Sequence, residues 1–149
     1  AGGRSQNGVM RSLMFTFALL AAPAAAETGA ELYAGHCATC HGTALEGAPD
    51  WQQRGADGLF PAPPHDASGH TWHHGDGFLF AYTKFGGQMV LDGLGVAFTS
   101  GMPAFEGVLT DAEIDAILAH ISASWPPEAR AFQAARTEDE RAASQFPRE

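Results

Sequence analysis

An all-α domain with long loops is what the chain predicts, and three observations lead there. No stretch of its 149 residues alternates or clusters as a strand would. Two T-x-x-E capping boxes, Thr28 with Glu31 and Thr110 with Glu113, mark helix starts. Behind the second, Ile114, Ile117, Leu118, Ile121 and Trp125 form one apolar stripe at helical spacing.

The first helix should run from the Thr28 cap into Cys37, with Leu32 and Tyr33 as its apolar contribution. Periodicity then vanishes from Gly42 to about Gly75, in a stretch rich in Gly, Pro, Asp and His. A loop this long is expected to be functional, or folded around something other than protein. Asp76 to Phe85 reads as a short helix ended by Gly86 and Gly87 in the C-cap role. Gly93 to Gly107 is loop again, and Pro126 with Pro127 stops the striped helix. Residues 126–149 read as a charged tail, helical or flexible, that docks on the domain or on a partner. Three to four helices are expected in all.

The N-terminal residues 1–26 have the pattern of an export signal. Met10, Arg11 and Ser12 form a short basic region with Met10 as the expected start. Leu13 to Ala22 is apolar but short for a membrane span, and Ala24 to Ala26 supplies a small-x-small cleavage pattern. A retained anchor is the alternative. The mature domain is then residues 27–125, in a periplasmic, oxidising setting where cysteines pair by default. In that domain twelve carboxylates face two cations, Arg54 and Lys84. Such acidity excludes nucleic acid as a partner and suits a partner with a basic face.

Cys37 and Cys40, the chain's two cysteines, stand in "GHCATCHG" directly before His41. A disulfide across two intervening residues closes a tiny loop and stabilises little. A zinc site needs four ligands, and a single knuckle would have to borrow from His65, His70, His73 and His74. A thioredoxin-type pair needs a preceding strand, which is missing here. Covalent haem attachment, the C-x-x-C-H signature, accounts for every position: two thiols one turn apart reach one edge of a porphyrin, and the next histidine swings under the iron.

His41 leaves the opposite side of the iron open, and Met/His ligation suits an electron carrier. Met102 is the candidate, in a loop between Gly101 and Pro103 before the last striped helix; Met89 is the weaker one. The four loop histidines could instead bind copper or zinc, or one of them the iron. His36 and His120 read as solvated or packed.

"CATCHG", "GMPAF" and "LTDAEIDAILAHISASW" together resemble a class I c-type cytochrome of the small bacterial monohaem kind, over roughly Thr28 to Trp125. The resemblance implies a cytochrome c-like fold wrapped around one covalently bound haem c, with the first and last helices crossing near it. One edge of the ring is then exposed for electron exchange. It also implies a proline carbonyl that accepts the proximal histidine's N–H, for which Pro49 is a loose match. Trp72 and Tyr82 would either donate to a haem propionate or pack the pocket. "PPHDASGHTWHHGD" resembles a loop of one subgroup, with no role implied.

The expected function is single-electron transfer between periplasmic or membrane redox partners, as a free carrier or as the cytochrome subunit of a larger oxidoreductase complex, with no substrate and no catalytic residue of the chain's own. The alternatives are a haem enzyme or sensor with an open distal site, and a metal-binding protein using residues 65–74.

Overall fold

The computed structural model describes residues 2–3 and 26–147; the expected signal segment lies almost wholly outside them. The described chain is all-helical, with six α-helices, one 3-10 turn and a single isolated bridge between Glu106 and Leu109. The helices are α1 Gly29–His36, α2 Ala38–His41, α3 Asp76–Phe85, α4 Gly87–Gly93, α5 Asp111–Ala123 and α6 Pro127–Ala142. Among the described residues, no helix is long and apolar enough to cross a membrane.

Both capping boxes form. The Thr28 hydroxyl accepts from the Glu31 N–H at 3.3 Å, while the Glu31 carboxylate accepts from the Thr28 N–H at 2.8 Å. Thr110 and Glu113 repeat the arrangement at the head of α5. Two of the orphan amides of each first turn are thereby satisfied.

The helix count exceeds three to four for local reasons. After α1 the chain kinks at Cys37, so that α2 is a separate single turn closed by Gly42 at φ 81°. Gly86 ends α3 at φ 84°, but Gly87 at once begins α4 instead of continuing the cap. The tail is helical over sixteen residues, with Pro127 in its first turn, where its missing N–H costs nothing.

The core is built on the crossing of α1 and α5. Leu32 and Tyr33 pack with Ile114, Ile117 and Ile121, all at most 3% exposed. Burying each of these aliphatic side chains contributes roughly 2 kcal/mol. The crossing is close because residue 29 is glycine: a Cβ there would collide with the Ala116 carbonyl oxygen. Trp125 closes the end of this core, and its indole N–H donates to the His65 carbonyl at 2.8 Å.

The last helix folds back over the 3-10 turn Thr71–His73 and the start of α3. Gly75, the N-cap of α3, has no side chain to cap with. The missing acceptors come from α6. Buried Glu140 accepts from Gly75 N–H at 2.9 Å and Phe78 N–H at 3.2 Å, and Thr137 Oγ1 accepts from Asp76 N–H at 3.0 Å. The helical tail therefore docks on the domain it follows.

Candidate haem site

Cys37 and Cys40 bracket the first half of α2, and His41 is its last residue. The thiols are not bridged; Cys37 is buried and Cys40 exposed. Burial pushes the Cys37 thiol up to about 11, with Cys40 adding to the shift. A nucleophilic redox cysteine needs the opposite shift from the one burial gives Cys37.

The imidazole of His41 is buried, and its Nδ1 lies 2.8 Å from the carbonyl oxygen of Pro63. A carbonyl only accepts, so Nδ1 carries the proton and Nε2 keeps the lone pair that a metal ion requires. Burial lowers the ring's pKa, opposed by the Pro63 bond, and favours this neutral form. The backbone around it is held as well: the Tyr33 hydroxyl donates to Gly42 O at 3.0 Å, and Gly47 N–H donates to His41 O at 2.7 Å.

The partner is thus Pro63 and not Pro49. Pro49 is exposed, and the carbonyl that meets the His41 ring comes from the Pro63–Pro64 pair, on the loop's return. In the aperiodic loop the nearer proline in sequence is not the nearer one in space.

Met102 sits partly buried in a loop clasped to α3 and α4. Its N–H donates to Ser100 Oγ at 3.2 Å, and its carbonyl accepts from Gly87 N–H at 3.1 Å. Tyr82 Oη meets Ser100 Oγ at 2.8 Å, which gives its hydroxyl the role of holding this loop. Gln88 adds a further clamp, accepting from Ser100 N–H at 2.9 Å. The clasp needs glycine at 87, since a Cβ there would strike both Ser100 Oγ and the Tyr82 hydroxyl. Met89 is 66% exposed on α4, a poor position for a buried ligand.

Trp72 packs against His73 and Phe132, and its Nε1 is buried with no acceptor among the described residues. Such an orphan donor is costly unless something outside the protein accepts from it. The residues fit a covalently attached haem on two counts: two unbridged thiols and, directly behind them, an imidazole presenting its free nitrogen.

The histidine-rich loop is not arranged around an ion. Among the described residues no three His, Cys, Asp or Glu side chains are placed to hold a metal. His70 stacks on Trp51 at 6.2 Å, His73 lies on Trp72 at 3.8 Å, and His74 stacks on Phe78 at 4.3 Å. His65 is stacked on His41 with ring centroids 4.0 Å apart. Two rings side by side cannot bind one iron from opposite sides, so His65 is excluded as the second ligand. Burial, with His41 beside it, pushes His65 down to about 3.

Sequence reasoning missed Pro63, Ser100 and the stacking role of His65. The paired prolines were a usable signal for the first, being the stiffest point of the loop.

The family model described as cytochrome c oxidase, cbb3-type, subunit III, matches residues 24–121, well over half of the chain. A search of curated proteins and one of solved structures each returned no match.

Proposed function

Because the chain belongs to the family of cbb3-type cytochrome c oxidase subunit III cytochromes, a family of haem-based electron transfer, we propose that it is an exported carrier of single electrons with one haem, attached at Cys37 and Cys40 and ligated by His41 and Met102. The observation that carries the reading is the 2.8 Å contact of His41 Nδ1 with Pro63 O beside two unbridged cysteines. Bound there, the haem supplies an iron that passes between ferric and ferrous states one electron at a time.

The chain's own part is to attach, orient and shield. The Pro63 carbonyl directs His41 Nε2 outward and makes the imidazole a stronger donor. The Tyr82–Ser100–Gln88 clasp holds the Met102 loop, from which Met102 would supply the second protein ligand to the iron and leave no place for a substrate. Trp72 Nε1, a buried N–H, would be the donor for a propionate. The single C-x-x-C-H of the sequence supports one covalently attached haem.

Twelve carboxylates against two cations in residues 27–125 favour a redox partner with a basic docking face. The family, that of an oxidase subunit, makes an oxidase complex one candidate partner. Residues 1–26 are proposed as the export signal, which places the holo-protein in the periplasm, where the attachment takes place.

The test is a mass and an optical spectrum of protein purified from an exporting, haem-attaching host. Expected are one added haem, a weak ferric band at the red end of the spectrum, and no carbon monoxide binding by the ferrous form. Met102→Ala should lose the band and gain carbon monoxide binding. Colourless wild-type protein refutes the reading; carbon monoxide binding by the wild type replaces it with an open-site haem protein.

A further inference from the structure

We propose that His65 is a positioning residue: its ring, stacked on that of His41, fixes the plane of the iron-ligating imidazole and so sets the electronic state of the iron. This rests on the haem reading above. The two ring centroids are 4.0 Å apart and the planes 23° from parallel. The Pro63 carbonyl, two residues before His65, holds the edge of the same ring. A hydrogen bond at the edge fixes where the ring points, but the ring can still turn about that direction. A second ring against its face removes that freedom.

His65 is itself held in a way that a space-filler would not need. Its N–H donates to the Leu45 carbonyl at 2.8 Å, and its carbonyl accepts from Trp125 Nε1 at 2.8 Å. Thr71 Oγ1 donates to the Pro64 carbonyl at 3.4 Å and lies 2.9 Å from His65 Nδ1, whose proton it accepts. Tyr33 of α1 meets the His65 ring edge-on at 6.1 Å. Leu45, buried, adopts φ 68°, a left-handed conformation unusual for a branched side chain. That conformation aims its carbonyl at His65 N–H and, at 3.2 Å, at Asp66 N–H. Contacts from Tyr33, Leu45, Thr71 and Trp125 thus fix one imidazole against another.

Orientation of an axial imidazole governs the splitting of the iron d orbitals. The readouts are therefore the low-spin ferric electron paramagnetic resonance g values and the midpoint potential, measured on exported holo-protein. His65→Leu should broaden the signal, move its largest g value and shift the midpoint. His65→Phe, which keeps a ring on the His41 face, should stay close to wild type. Unchanged g values and midpoint in His65→Leu overturn the proposal, as does a Phe variant that behaves like the Leu variant. If His65→Leu retains no haem, Thr71→Val decides, because it frees the His65 ring and leaves the Pro63 bond in place. A broadened signal supports the proposal and an unchanged one overturns it. Wild-type protein without covalent haem would remove the premise instead, a failure read from the mass before any variant is made.

Discussion

Glu140, near the end of the last helix, accepts the N–H of Gly75 at 2.9 Å across sixty-five residues of sequence. The contact, with a second to Phe78 N–H, supplies the cap that α3 lacks and ties the tail to the haem-binding unit. Glu140→Ala leaves two amides unpaired, one buried and one partly buried, which should cost about 2 kcal/mol. Glu140→Gln keeps one acceptor oxygen and should cost less. Asp139→Ala, an exposed neighbour, should stay within about 0.5 kcal/mol of wild type. Ending the chain at Pro126 should exceed all three, because Ala129 and Phe132 leave their contacts as well. Thermal denaturation of the ferric holo-protein orders the four. An α6-less protein as stable as the full chain would show that the helix is an appendage.

Tyr82 and Ser100 hold the Met102 loop through one hydroxyl pair, so their loss should be read at the iron more than in the fold. Tyr82→Phe removes one partly buried hydrogen bond, worth about 1 kcal/mol. Exogenous imidazole should then displace the sixth ligand several-fold faster, with little change in helicity. Gly87→Ala should be the more severe change, since its methyl group meets both Ser100 Oγ and the Tyr82 hydroxyl. Stopped-flow displacement with unchanged rates in both variants would detach this clasp from Met102.

Pro63 and Pro49 make a matched pair of substitutions. Pro63→Ala keeps the carbonyl but loosens the segment presenting it; it should shift the midpoint potential and cost up to about 1 kcal/mol. Pro49→Ala, at an exposed site, should leave the potential where it is. A reversed pattern in optical redox titrations would contradict the assignment of the carbonyl.

The difference between these prolines shows what the sequence can and cannot carry. Helix starts at Thr28 and Thr110 are legible because a capping box lies within four residues. The α5 stripe is legible because its period is local too. Cys37, Cys40 and His41 are readable as one unit because attachment chemistry demands adjacency. Pro63 is not, since the path of residues 42–70 depends on tertiary contacts such as Leu45 O with His65 N–H. Glu140 is hidden for another reason: on a helix rich in Glu and Arg, the one buried carboxylate has the same letter as the solvated ones. His65 reads as a metal ligand among four histidines, and only its stack on His41 separates it from them.

His74 should give the protein an acid limb. Burial first, then His70, His73 and Arg136, push its pKa down to about 4 from the ordinary 6.5. Well above pH 6.5 the ring is neutral in folded and unfolded chains alike, and no stability is at stake. As pH falls from 6.5 towards 4, the unfolded chain takes a proton that the folded ring refuses, so stability declines over that window. His74→Phe keeps a ring stacked on Phe78 and removes the proton uptake. Its melting temperature should therefore fall less steeply between pH 6.5 and 4 than that of wild type. The slope should not vanish, because burial also lowers the pKa of His70. Parallel slopes for the two proteins would mean that His74 is as free to protonate in the fold as outside it.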